Sequence, residues 1–208
     1  MPNTSTLVGS FWKNKMESED IKFPPQHQDT QPGKQYLMNP QPQTVNLQYK
    51  ASNKLLGKVA LVTGGDSGIG RAVCYNFSLE GATVAFTYVK GPEDKDAADA
   101  LMLIKEAKSS DAKDPIAIPT DLRYEENCKE VIDKVINQFG HIDVLVNNAG
   151  VQFYAESIED ITVYMLRKTF GKNFFCLFLH GQVTTIPLHE LAFRCLISVH
   201  IGYIDNSN

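Results

Sequence analysis

The chain has 208 residues, 43% hydrophobic and 21% charged, with 20 basic side chains against 24 acidic ones and a formal net charge of −4. No basic surplus points to nucleic acid, and no apolar run approaches the ~18 residues of a membrane span, so neither is an expected partner. Cys74, Cys128, Cys176 and Cys195 form no C-x-x-C pair, which suggests neither a zinc knuckle nor a dense disulfide framework and fits reduced thiols inside a cell.

Residues 1–50 hold six of the ten prolines and seven glutamines. Stretches such as FPPQHQDTQPG have neither helical nor strand periodicity, so a disordered tail is expected there. Lys13 and Lys15 are followed by Glu17, Glu19 and Asp20, and the first twenty residues hold no arginine. That is a poor match to a transit peptide. The location read from it is cytoplasmic, with a plastid form as the alternative.

From Lys58 the texture changes. Lys58 to Thr63 is a short apolar run with β-branched residues, the mark of a strand buried on both faces. It ends in Gly64-Gly65-Asp66-Ser67-Gly68-Ile69-Gly70. An apolar-periodic helix follows through Leu79, with Gly81 at its end. Ala82 to Tyr88 then reads as a second strand, Lys95 to Ser109 as a helix and Pro115 to Pro119 as a third strand. Glu125 to Phe139 reads as a helix and Ile142 to Val146 as a fourth strand. Strands alternating with helices of about 10 to 15 residues predict right-handed crossovers and a doubly wound, Rossmann-like parallel sheet of the α/β class.

The first strand-to-helix turn carries the chemistry. Glycines there let the backbone approach a diphosphate, and the amide end of the following helix favours its negative charge. The spacing, Thr63 ahead of G-x-x-x-G-x-G, differs from the usual G-x-G-x-x-G order. The alternative is a tight turn that binds nothing.

Thr63-Gly-Gly-Asp-Ser-Gly-Ile-Gly70 after the first strand and Asn147-Asn-Ala-Gly150 after the fourth resemble the paired signature of the short-chain dehydrogenase/reductases. The surrounding NKLLGKVALVTGGDSGIGRAV, EGATVAFTYVKG and DPIAIPTDL are similar to a plant subgroup, the glucose and ribitol dehydrogenase homologs, also described as NADPH-dependent aldehyde reductases. The resemblance covers roughly residues 24 to 170. It implies a nicotinamide dinucleotide as cofactor. Thr63, Gly64, Ser67, Gly68, Ile69, Gly70 and Arg71 would lie along the diphosphate and adenosine ribose, Asp121 and Leu122 would meet the adenine, and Asn148, Ala149 and Gly150 would line the cleft beside the nicotinamide ribose. For Asp121 the alternative is a helix cap before Glu125. The end of the second strand, Phe86 to Lys90, has no acid until Glu93. Arg71 or Lys90 could therefore partner a 2′-phosphate, which favours NADP over NAD, unless both are solvated surface charges.

The family's catalytic Tyr-x-x-x-Lys belongs on a helix beyond a fifth strand, with a serine and an asparagine completing the site. The one such spelling here, Tyr164 to Lys168, comes 14 residues after Gly150, before any fifth strand. It is read as a chance helical pair, with Tyr164 packed and Lys168 solvated. Asn173 stands near the family asparagine's position, 26 residues after Asn147. Ser198 and Tyr203 fall in a strand-like run from Cys195 to Ile204, but Ser207 stands where a lysine is required. His180, His189 and His200 lack metal-ligand spacing.

The 152 residues from Gly57 onward fall short of the roughly 200 to 250 of a single α/β unit of this kind. Three parts are expected: the tail over 1–50, a dinucleotide-binding part over 51–170, and a divergent segment over 171–208 from truncation or alternative splicing, leaving the fourth strand as an exposed edge. The functional expectation is an NADP(H)-binding oxidoreductase chain related to enzymes of aldehydes, sugars or polyols, itself inactive. The alternatives are a cofactor-binding or subunit-docking fragment, as a homo-oligomer or on full-length subunits, and a nonfunctional product.

Overall fold

The computed structural model describes residues 28, 33–46, 48–151, 153, 155, 157–171 and 173, and the backbone of 195–198. The tail expected over 1–50 lies largely outside these residues through position 32. The chain divides into two units, Met1–Pro40 and Gln41–Asn208. In the first, the Gln28 side chain brackets Lys34: its Oε1 accepts the Lys34 amide at 2.6 Å and its Nε2 donates to the Lys34 carbonyl at 3.0 Å. A single 3-10 turn, Gln35–Leu37, follows.

The second unit is a five-stranded parallel sheet. Its strands are β1 (Val59–Val62), β2 (Thr83–Tyr88), β3 (Ile116–Pro119), β4 (Val144–Asn147) and β5 (Cys195–Ser198), in the order β3-β2-β1-β4-β5. The helices are α1 (Gly68–Leu79), α2 (Asp94–Ala107), α3 (Glu125–Phe139) and α4 (Val163–Phe170). This is the doubly wound order, with the reversal of winding between β1 and β4.

Alternation along the strands divides the core between the two faces of the sheet. Val59 and Leu61 face one side with Ala85 and Leu145, where α3 lays down Cys128, Val131, Ile132, Val135 and Phe139. These five fall at i, i+3, i+4, i+7 and i+11, one stripe of a helix. Ala60 and Val62 face the other side with Val84, Phe86, Val144 and Val146, covered by Cys74 from α1 and Ala97, Ala100 and Ile104 from α2. All four β1 residues are buried. Each fully buried Val, Leu or Phe contributes about 1.5–3 kcal/mol, and this two-sided burial makes β1 the centre of the fold.

Contrary to the expectation of an exposed fourth strand, β4 is not an edge. β5 pairs with it in parallel, in the register Val144↔Cys195 to Asn147↔Ser198. The start of the strand-like run from Cys195 thus supplies a fifth strand, where four were recognisable in the sequence. Tyr203, Ser207, His180, His189 and His200 lie outside the described residues.

Carboxylates fasten the amino ends of the strands. Asp143 accepts the Val59 amide at 2.8 Å, Lys58 Nζ at 3.2 Å and His141 Nε2 at 2.9 Å, tying the entrance of β4 to that of β1. Glu80, after α1, accepts the Ser52 and Lys54 amides at 3.2 and 2.8 Å and the Tyr49 hydroxyl, anchoring the segment that leads into β1. Burial pushes the Asp143 carboxyl up, but the Val59 amide, Lys58 and His141 outweigh it and hold the group below the ordinary carboxylate range. A carboxylate held low in the folded state adds stability above its unfolded value, and that stability is lost as pH falls through the folded value. Asp143→Asn is therefore expected to lower Tm at pH 7 and to flatten the loss of Tm on acidification below about pH 4. Equal melting curves for the two proteins from neutral pH down to acid would refute this.

Candidate functional site

At the carboxyl ends of β1 and β4 one buried hydroxyl joins the two loops that follow. Thr63, 1% exposed, accepts the amides of Asn148 and Ala149 on Oγ1 at 3.0 and 2.9 Å, and Oγ1 lies 3.4 Å from the Val146 carbonyl to which it donates. The Asn148 side-chain amide returns the link, donating to the carbonyls of Thr63 at 3.0 Å and Gly64 at 2.8 Å. β2 joins through Thr87: its Oγ1 accepts the Gly64 amide at 3.1 Å and its carbonyl accepts the Gly65 amide at 3.0 Å. The glycine loop is thereby fixed to three strand ends.

The loop then turns into α1. A Cβ on Gly70 would lie 1.9 Å from the Gly64 carbonyl oxygen and 2.5 Å from Asn148 Nδ2, so only glycine lets the first helical turn close onto the loop. Gly68 has φ +52° and open space where a side chain would stand, so the backbone is bare there. Ser67 is the N-cap in extended conformation, and its side chain makes no capping bond to the helix. Ile69 is 45% exposed beside them. A bare cradle at the positive end of a 12-residue helix, at the point where the winding of the sheet reverses, fits a diphosphate.

The rim at β2 is acidic. Contrary to the expectation that this strand end lacks a carboxylate, Glu93 folds back and its Oε2 accepts the Val89 amide at 2.8 Å. Asp66 is 4% exposed and Asp96 6%. Burial, reinforced by the charges of Glu93 and Asp96, pushes the Asp66 carboxyl up to about 6. Of the two cations considered for this end, Lys90 is exposed and Arg71 half-buried.

Asp121 is not a helix cap, since the N-cap of α3 is Tyr124. Its carboxylate instead grips Arg123, accepting Nε at 2.9 and 3.0 Å, the Arg123 amide at 3.2 Å and Nη2. Leu122 is 3% exposed and sits in the core among α3 side chains, so only its backbone is left for a ligand. Asn173 pins the loop after β4: its Oδ1 accepts the Val151 amide at 2.8 Å and its Nδ2 donates to the Val151 carbonyl at 2.9 Å. Gly150, next to that pair, is exposed.

Tyr164 and Lys168 reverse their expected environments. Tyr164 is 60% exposed and meets Phe153 edge-on at 6.3 Å. Lys168, half-buried, places its ammonium 4.8 Å from the Tyr164 ring centroid. Sequence reasoning missed Thr87, Asp66 and the return of Glu93. The signals available were the acid inside the glycine motif and a helix-starting Glu93 four residues after Val89.

Two substitutions test the geometry. Thr63→Val keeps the shape but leaves the amides of Asn148 and Ala149 without their acceptor, an expected loss of about 2–4 kcal/mol of unfolding free energy; a loss below about 0.5 kcal/mol would contradict the stitched arrangement. A carboxyl whose folded value is raised lends stability below its unfolded value and loses it as pH rises through about 6. Asp66→Asn is accordingly expected to raise Tm above pH 6 and to remove a slope worth roughly 3 kcal/mol between about pH 4 and pH 6. A wild-type slope that survives the substitution would assign it to other groups.

The sequence model of the short chain dehydrogenase family matches residues 58–188, more than half of the chain. Glucose and ribitol dehydrogenase of Daucus carota is 62% identical over 161 residues, covering 77% of this chain and 55% of that protein. NADPH-dependent aldehyde reductase 1, chloroplastic, of Arabidopsis thaliana is 58% identical over 153 residues, covering 74% of this chain and 53% of that one. A solved short chain dehydrogenase from Burkholderia cenocepacia, in complex with NADP, is 34% identical with a TM-score of 0.57, covering 64% of this chain and 51% of the other. The chain thus spans about half the length of the relatives it matches. With its glycine loop and Asn147-Asn148-Ala149-Gly150 stitched together at the point where the sheet reverses, and with this match, the chain belongs to the short-chain dehydrogenase family.

Proposed function

We propose that this chain is the NADP(H)-binding part of an oxidoreductase acting on aldehydes, sugars or polyols, and that it does not carry out hydride transfer by itself. The observation that carries the reading is the Thr63–Asn148 stitch, which holds the glycine cradle open beside the loop after β4. Gly64, Ser67, Gly68, Ile69 and Gly70 would hold the diphosphate and adenosine ribose, with Thr63 fixing the loop beneath them. Asp121 and the Leu122 backbone would face the adenine, and Asn148, Ala149 and Gly150 the nicotinamide ribose. When bound, the dinucleotide supplies the hydride; the residues of this chain bind and orient it.

NADP is preferred to NAD because the Arabidopsis thaliana relative is an NADPH-dependent aldehyde reductase and the Burkholderia cenocepacia structure is a complex with NADP. The acids at the β2 end oppose that preference, but Glu93 is engaged by the Val89 amide and Asp66 is protonated below about pH 6. Arg71 remains the cation proposed for the 2′-phosphate. The inactive reading rests on Tyr164, whose ring lies open to water and is capped by Lys168 on its face, whereas proton transfer to a carbonyl oxygen is carried out where water is excluded. Asn173 is the one residue of the family's catalytic set proposed here, in a positioning role through Val151. The chain is read as cytoplasmic, with the plastid as the alternative that the chloroplastic relative supports, and as working in a homo-oligomer or beside full-length subunits. Among the described residues no helix is long and apolar enough to cross a membrane.

Thermal unfolding of the chain with NADPH tests the binding reading: ligand at 100 times Kd is expected to add about 2.7 kcal/mol, with a smaller shift from NADH at equal concentration. No shift with either dinucleotide removes the reading. No NADPH oxidation with aldehyde substrates is expected in the same samples. Turnover that disappears in Tyr164→Phe would overturn the inactive half and leave the binding half standing.

A further inference from the structure

Between the entrance of α3 and the outer face of α4 lies an open hollow of about 440 Å³, lined by Arg123, Val163, Tyr164, Arg167, Lys168 and Gly171. Three of these six are cations, on a chain whose net charge is −4. Arg167 and Lys168 stand in the last turn of α4, where cations suit the carbonyl end of a helix. That preference does not explain why Arg123, from a different loop, faces the same space. Arg123 has a carboxylate partner in Asp121. Lys168 rests over the Tyr164 ring, and among the described residues Arg167 has no acidic partner.

After Asp121 offsets Arg123, two positive charges remain over one hollow. A dianion neutralises both, whereas chloride or a monocarboxylate neutralises one. Guanidinium forks match the oxygens of a phosphate group, and a flexible ammonium adds a point charge beside them. Tyr164 and Val163, 60% and 64% exposed, provide an apolar wall next to the cations. We propose that this hollow binds a phosphate-type dianion, inorganic phosphate or a phosphomonoester, held by Arg167 and Lys168 with Arg123 as the third cation. The hollow shares no residue with the glycine cradle, and the proposal does not rest on the dinucleotide reading.

The test is titration of the full chain at low ionic strength with inorganic phosphate and, in a second arm, with phenyl phosphate, followed by calorimetry and phosphorus NMR. Saturable binding with Kd of about 1 mM or tighter is expected in at least one arm, and the tighter arm identifies the source of the phosphate. Saturating NAD⁺, which carries a diphosphate but no phosphomonoester, is expected to leave this binding in place. Arg167→Ala and Lys168→Ala, both on the exposed helix α4, are each expected to weaken it roughly tenfold or more, with Tm unchanged in the absence of ligand. Absence of saturable binding up to about 10 mM, displacement by NAD⁺, or affinity unaltered in both variants would overturn the proposal. Should the chain fail to bind any dinucleotide, the two variants still decide the matter.

Discussion

The Thr63 hydroxyl is the contact on which the rest of the site depends. It is buried at the end of β1, whose four residues are all buried, and two backbone amides from the far side of the β1–β4 crevice converge on it. Buried amides without acceptors are costly, so the loop after β4 has one place to go. Asn148 is then positioned to grip the glycine loop from the other side. The absence of a side chain at Gly70 follows from the same closure, because the helix that begins there rests directly on the Gly64 carbonyl. One hydroxyl and one amide therefore set the path of both loops and the origin of α1.

The two ends of the sheet use different chemistry for the same task. At the amino ends, carboxylates do the fastening: Asp143 holds Val59 and Glu80 holds the lead-in segment. At the carboxyl ends, Thr63, Thr87 and Asn148 fasten with neutral groups. Neutral fasteners add no negative charge of their own at the positive end of α1, a condition for attracting an anion. The exception is the acidic rim formed by Asp66, Glu93 and Asp96. There the raised Asp66 carboxyl shows that the charge is carried at a cost near neutral pH, and proton uptake relieves it.

The parts of this design that were legible in the sequence are those encoded locally. The stripe Cys128, Val131, Ile132, Val135 and Phe139 marks the buried face of α3, and the helix runs over Glu125–Phe139, the span the sequence predicts. The apolar run predicts β4 from Ile142 to Val146, whereas the strand runs from Val144 to Asn147. Ile142 is buried in the core without belonging to the ladder, and an apolar run does not distinguish burial from pairing. β5 was visible as a strand-like run, yet its parallel pairing with β4 joins residues about fifty apart, across a crossover that no local pattern encodes. The return of Glu93 to the Val89 amide escaped for a related reason: the sequence gives the distance along the chain, and the turn decides the distance in space.

Tyr164 and Lys168 show the same limit where chemistry is at stake. A spacing of four guarantees that two side chains share a helix face, and these do. It does not decide whether the cation meets the hydroxyl or the ring, nor whether the face is dry. Here the ammonium lies over the ring and the tyrosine stands in water. What surrounds the pair is a set of cations from two separate elements, Arg123 before α3 and Arg167 beside Lys168 on α4. With Arg123 held by Asp121, the charges of Arg167 and Lys168 remain over one hollow. An anion that enters meets both, so the same arrangement that is ill suited to proton transfer is suited to holding negative charge.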